Sequence, residues 1–279
     1  MRLGGGLLLA AFAGLSAAQT ADCPDGKPAD GVQRAGDARQ CLVMQRLEPP
    51  QVKLKTLVVY LHGDSGGKTG PDDSRSLDRS VALALSERLG AAVIALQRPG
   101  YRSAAGRSDG DAPAAGDDYT AGNVAAVAAA LNNLRKLNPA RKVLLVGYSG
   151  GAATAALLAS RFPGSADAYL LAACPCDVPA WRQWRKAAGG SPSDATPWTR
   201  SLSPVAETAG IRPDTLVSVV VGAKDENTLP KFSEAWVGAL QAKGVKTRLT
   251  YAAGATHVSV VRSPEFFMLA EDLAVRLSK

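Results

Sequence analysis

The sequence predicts a doubly wound α/β domain built on a mostly parallel sheet, with a short cap segment. Two observations carry that prediction. Apolar, β-branched-rich runs alternate with longer helical patterns from Leu57 to the C-terminus. The runs are also nearly continuous in apolar character, as in strands covered on both faces of a parallel sheet. With 279 residues, 46% hydrophobic and 20% charged, the chain can bury one sizeable core but is too short for two full-sized enzymes. Its 28 glycines and 17 prolines show no period, which excludes a collagen-like chain, and the apolar content excludes a disordered one.

Taken in order, residues 1–18 read as an export signal. Arg2 supplies a positive start, Leu7–Leu15 an apolar stretch, and Ser16-Ala17-Ala18 a small-x-small cleavage site. That stretch falls short of the roughly 20 residues a bilayer-spanning helix needs, and no later run reaches that length. The mature chain, 19–279, is therefore expected to be a single catalytic domain, secreted or periplasmic, without stable membrane insertion. Residues 19–50 form an N-terminal extension ending in a leading antiparallel strand at Leu42–Glu48. Strands are expected at Leu57–Leu61, Ala92–Leu96, Val143–Val146, Ala168–Ala172, Leu216–Val221 and Thr247–Tyr251. Helices are expected at Leu77–Leu89, Tyr119–Leu137, Gly150–Arg161, Leu229–Lys243 and Ser263–Ser278, with Gly90 and Gly244 as stops and Pro264 in a first turn.

Residues 177–214 break this rhythm, being rich in Pro, Ser, Ala and Gly and carrying Trp181, Trp184 and Trp198. They read as a cap over the C-terminal edge of the sheet; a decorated crossover is the alternative. If Trp181–Lys186 is helical, Trp181, Trp184 and Arg185 share one face and Arg182 and Lys186 the adjacent one. That helix either offers aromatic surface and cations to a cleft, or packs its tryptophans on the body and leaves its cations solvated.

Four cysteines suit an oxidising compartment. Cys23 and Cys41 bracket a polar loop and are the expected pair, while Cys174-Pro175-Cys176 is either a tight bridge or a dithiol. The net charge of +7 favours anionic surfaces or substrates. Residues 181–186 are the only dense basic–aromatic stretch, so no nucleic-acid partner is expected. Two histidines, His62 and His257, leave almost no room for a multi-histidine zinc site.

The chemistry centres on Gly147-Tyr148-Ser149-Gly150-Gly151. The string is weak alone but strong in context, because it joins the apolar strand at Val143–Val146 to a helix of small residues. A serine on such a turn sits in strained backbone with its hydroxyl exposed, above a helix N-terminus that favours negative charge. Its hydroxyl needs a base, and the base an orienting acid. Asp225 follows the strand at Leu216–Val221, and His257 follows the strand ending at Tyr251. Ser149, Asp225 and His257 thus sit on loops at the C-terminal ends of three strands, on the edge where α/β sites assemble. Asp177 is a second candidate acid. Asp117 and Asp118 read as residues that cap or precede the helix at Tyr119.

Two other readings of the glycine-rich string after Leu61 fail. Gly63-Asp64-Ser65-Gly66-Gly67 copies the nucleophile string of chymotrypsin-like proteases, whose histidine and aspartate lie well upstream; here His62 is adjacent, and Lys68 replaces the usual proline. Gly63 to Gly67-Lys68-Thr69 also has one residue too few for a phosphate-binding loop.

On Leu61-His62-Gly63-Asp64, Gly147-Tyr148-Ser149-Gly150-Gly151, Gly222-Ala223-Lys224-Asp225 and His257, the chain resembles serine hydrolases of the α/β-hydrolase fold, and within them the exported dienelactone-hydrolase and prolyl-oligopeptidase-like branches. The resemblance spans Leu57 to Lys279. It implies a Ser149–Asp225–His257 triad, with the backbone amides of Asp64 and Gly150 receiving the oxyanion, Ser65 as a substitute donor, and His62 bracing that loop. It further implies cleavage of an acyl bond through an acyl-enzyme without metal or cofactor; the short cap and the absence of a propeller-like domain favour an ester. The substrate is then a small or polymeric acyl compound, anionic ones included; a peptidase or amidase is the alternative. A binding protein that has lost catalysis is disfavoured by the complete triad.

Overall fold

Every residue of Leu57–Leu61 and of Ala168–Ala172 is buried, so these runs need a neighbour on each face. A parallel sheet covered on both sides by helices supplies it. The computed structural model describes residue 23 and residues 33–64, 79–103, 105–113, 116–138, 142–190 and 192–279. The export signal, Ser65 and the first two residues of the helix expected at Leu77–Leu89 lie outside the described residues.

The chain runs through β1 (Gln33–Gly36), β2 (Cys41–Leu47), β3 (Leu57–Leu61), α1 (Arg79–Leu89) and β4 (Val93–Leu96). A small two-stranded ladder follows, β5 (Arg102–Ser103) with β6 (Gly106–Arg107), then α2 (Ala121–Leu137), β7 (Val143–Tyr148), α3 (Gly150–Arg161), β8 (Ala168–Ala172) and α4 (Val178–Ala187). The remainder is β9 (Leu216–Gly222), α5 (Pro230–Gln241), β10 (Thr247–Ala252) and α6 (Pro264–Leu277). The large sheet has the order β1-β2-β4-β3-β7-β8-β9-β10. β2 is antiparallel to its neighbours β1 and β4, and every pairing from β4 across to β10 is parallel.

The period of two in β3 divides the core. Leu57, Val59 and Leu61 pack under α2, α3 and α5, while Val58 and Tyr60 pack under α1 and α6. A side chain of this size contributes about 1.5–3 kcal/mol when fully buried, so the central strands carry much of the fold's stability. Helices α2 and α6 begin where side chains cap them: the Thr120 hydroxyl accepts from the Asn123 amide and the Ser263 hydroxyl from the Phe266 amide, with Pro264 in the first turn.

The sequence does not announce β1 or the β5–β6 ladder. Gln33-Arg34-Ala35-Gly36 has no apolar run; it is a strand because it pairs with Cys41–Met44 across a hairpin. A disulfide joins Cys23 to Cys41, with Cα atoms 5.5 Å apart, as expected for the extension. Cys174 and Cys176 are also bridged, which settles the alternative left open, and both are fully buried just beyond β8.

Residues 177–190 and 192–206 run along the C-terminal edge of the sheet. The Trp181 indole N–H donates to the Asn227 carbonyl beyond β9 at 3.0 Å. The Leu202 amide donates to the Tyr119 carbonyl at 3.0 Å, and the Val205 amide to that of Cys176 at 2.9 Å. Asp117 accepts from the amides of Thr199, Arg200 and Ser201. It does not cap α2; it fastens this segment to the body.

Candidate active site

Ser149 sits between β7 and α3 with φ 52° and ψ −119°, a conformation that costs energy for a residue with a Cβ. Its neighbours hold it there. The Ser149 amide donates to the Ala172 carbonyl of β8 at 2.9 Å, and its carbonyl accepts the first helical bonds, from Ala152 and Ala153. The turn also needs its glycines: a Cβ on Gly147 would fall 2.7 Å from the Ala152 Cα, and one on Gly151 would strike the Leu61 and His62 carbonyls.

The three loops converge. His257 Nε2 lies 3.0 Å from Ser149 Oγ, and His257 Nδ1 lies 2.8 Å from Asp225 Oδ2. Asp225 is 2% exposed, and its other oxygen accepts from the amides of Asn227 at 2.9 Å and Thr228 at 2.7 Å, which fixes the carboxylate's direction. An acid facing Nδ1 keeps the proton on that nitrogen, leaving Nε2 to accept from the serine hydroxyl. Such a chain can raise the nucleophilicity of the hydroxyl. Asp177 is elsewhere: its carboxylate accepts from the Ala180 amide at 3.2 Å and caps α4.

The segment after β3 passes directly over this turn. His62 is buried, with Nε2 3.0 Å from the Arg98 amide nitrogen and Nδ1 2.7 Å from the Gly63 carbonyl. Nε2 therefore accepts and Nδ1 donates, the neutral tautomer, and burial, followed by the Arg98 cation, pushes its pKa down to about 3. Asp64 carries three donors: Arg98 Nη1 at 2.6 Å and the Tyr101 hydroxyl at 3.1 Å on one oxygen, and the Tyr119 hydroxyl at 2.6 Å on the other. Burial alone would raise its pKa, but Arg98 and the tyrosine hydroxyls outweigh that and leave it lowered. Gly150, the other expected oxyanion donor, opens α3, where the first amides have no intrahelical acceptor.

Arg98, Tyr101 and Tyr119 are the residues that sequence reasoning missed, and Asp118, expected only to cap or precede the helix at Tyr119, pairs with Arg98 instead. The Arg98 side chain is 2% exposed and donates to Asp118 Oδ2 at 2.8 Å. Burial pushes the Asp118 carboxyl up to about 6, against the pull of Arg98. One signal was available: Arg98 follows the wholly apolar β4 at the C-terminal edge, where a cation needs a partner.

Toward the cap, Trp181 is buried and its ring meets that of Trp198 edge-on at 5.4 Å. Trp181–Lys186 is helical, as considered, but its cations are not simply solvated. Arg182 and Arg185 bind the two oxygens of the buried Asp194 at 2.7 and 2.9 Å; Lys186 is exposed.

The sequence profile of the alpha/beta hydrolase fold matches residues 56–206, more than half of the chain, and the protein belongs to that family. No curated protein matches it by sequence. Among solved structures, an esterase of Pyrococcus furiosus is similar with a TM-score of 0.66 at 14% identity, over 89% of this chain and 90% of that one. A proline iminopeptidase of Mycobacterium smegmatis gives 0.60 at 17%, over 88% and 98%. A lidless serine hydrolase of Xanthomonas campestris gives 0.53 at 16%, over 92% and 94%. At such identities the likeness speaks for the fold and not for a substrate.

Proposed function

We propose that the protein is an exported serine hydrolase that cleaves carboxylic esters through an acyl-enzyme. The observation that carries this is the continuous chain from Ser149 Oγ through His257 to the buried Asp225. Ser149 attacks the acyl carbonyl while His257 Nε2 takes its proton. Asp225 holds the imidazole in place and balances the charge it acquires. The backbone amides of Asp64 and Gly150 receive the oxyanion. His257 then returns the proton to the leaving alcohol, and water, activated by the same base, releases the acid. No step calls for a metal or cofactor.

Cleavage of an amide or peptide bond is the second reading, favoured by the likeness to a proline iminopeptidase. Export to an oxidising compartment is supported by the two disulfides, and no helix among the described residues is long and apolar enough to cross a membrane. The pairing of Arg182 and Arg185 with Asp194 leaves less free positive charge at the cap than composition suggests, so a preference for anionic substrates rests on the net charge alone.

The test is a panel of p-nitrophenyl esters and peptide anilides, together with a fluorophosphonate probe. Labelling and ester turnover that both vanish in Ser149→Ala support the reading. Turnover that survives this substitution overturns it, and faster cleavage of anilides selects the second reading.

A further inference from the structure

A carboxylate beside an oxyanion site needs an explanation. A Cβ placed on Gly150 would land on Asp64 Oδ1 and 2.6 Å from Arg98 Nη1, so both groups lie against the first residue of α3. In the mechanism proposed above, negative charge develops next to the Gly150 amide, and a bare carboxylate there would oppose it. Asp64 is also the member of its ionic cluster that reaches the surface: its side chain is 27% exposed, against 2% for Arg98 and 2% for Asp118.

The surroundings of Asp64 are built to cancel its charge. Arg98 and the hydroxyls of Tyr101 and Tyr119 all donate to it. Burial raises the pKa of both phenols well above the ordinary value, so they remain donors across the working range. Arg98 is immobilised in turn. Its amide donates to His62 Nε2, Nη1 reaches the His62 carbonyl at 3.4 Å, Nη2 binds Asp118, and its guanidinium carbon stands 4.8 and 5.4 Å from the rings of Tyr101 and Tyr119. Burying such an ionic cluster is seldom the most stable solution, since apolar residues of similar volume usually do as well. Its position over the nucleophile turn supplies a different reason for it.

We propose that Arg98 and Tyr119 are positioning residues of the oxyanion site: they neutralise the Asp64 carboxylate and pin the His62–Asp64 segment against Gly150, so that the turn can accept negative charge. The inference rests on the serine-hydrolase reading. It assigns Asp64 two parts, a backbone amide that serves the reaction and a side chain that must be kept electrically silent.

Two double-mutant cycles on the full-length protein test it, read as kcat and KM on a p-nitrophenyl ester, with fluorophosphonate labelling of Ser149 in every variant. Arg98→Gln is expected to lower kcat by roughly 10²-fold with KM changed less than about threefold, the size of losing one oxyanion donor. Adding Asp64→Asn to it should restore at least about tenfold, because the uncompensated charge beside Gly150 is gone even though Asp118 also loses its Arg98 partner. Tyr119→Phe, which buries no unpaired charge, guards against a folding defect in Arg98→Gln. It should lower kcat several-fold in the wild type and leave it unchanged in the Asp64→Asn background. Equal losses in both backgrounds, or a rise in KM at constant kcat, overturn the inference while labelling of Ser149 leaves the hydrolase reading standing. A wild-type protein that takes no probe at Ser149 overturns both.

Discussion

The Tyr148 hydroxyl donates to the main-chain carbonyl of His257 at 3.1 Å, and the two rings stand 5.3 Å apart. The residue preceding Ser149 thus reaches across to the loop that bears His257. Tyr148→Phe keeps the ring and loses the bond. Under the proposed mechanism kcat should fall several-fold at nearly constant KM, because only the aim of the imidazole is loosened. Steady-state kinetics on a neutral ester checks this; a change confined to KM would point to substrate contact instead.

The acid assignment can be decided by two substitutions. Ser149→Ala and His257→Ala should each cost about 10⁶-fold in kcat, and Asp225→Asn about 10⁴-fold. Asp177→Asn should leave kcat within a few-fold and cost only capping stability, about 1 kcal/mol, since its carboxylate binds the Ala180 amide. A crippled Asp177→Asn enzyme with an active Asp225→Asn one would reverse the two roles.

His62 should make the fold acid-labile. Its folded-state pKa is depressed to about 3 from 6.5, so between these values the unfolded chain holds a proton that the folded protein refuses. Stability from this group is present above pH 6.5 and is lost as pH falls toward 3. Asp118, raised to about 6 from 3.8, works in the opposite sense over a narrower window. Denaturant midpoints across pH 3–8 should therefore fall on acidification. The slope should flatten in His62→Gln and steepen in Asp118→Asn.

Arg182 and Arg185 are expected to act through stability. Replacing both with Gln removes two cationic partners of the buried Asp194 and should lower the melting temperature by several degrees. The ratio of rates on anionic and neutral esters should stay unchanged at low salt. A loss of anionic preference at unchanged melting temperature would instead make these cations substrate-facing.

The Cys23–Cys41 bridge closes a loop with a sequence separation of 18 and should stabilise the fold by about 3 kcal/mol in the chain-entropy account. Non-reducing peptide mapping should recover Cys23 with Cys41, and Cys174 with Cys176. Any cross-link between the two pairs contradicts the sheet order, in which β4, β3 and β7 separate β2 from β8.

By itself, the sequence determined the buried parallel strands of the sheet and pointed to the three residues of the proposed triad. Buried parallel strands must be apolar along their whole length, and helices between them must repeat near 3.6, so β3, β8 and α3 were legible with their boundaries. The strand–turn–helix around Ser149 was legible for the same reason: its glycines answer a local steric demand written within five residues. Asp225 and His257 could be picked out because each follows a strand, and strand ends share one edge. What only the tertiary structure decided are the pairings between residues far apart in the chain. Asp194 could not be matched with Arg182 and Arg185, nor Asp117 with the amides of Thr199 to Ser201, because a charge on a loop carries no period that names its partner. Arg98 is the sharpest case. Its neighbours Asp64, Tyr119 and Asp118 come together only where the ends of β3 and β4 meet the start of α2, and burial there, not sequence, turns four ordinary surface residue types into one electrostatic unit.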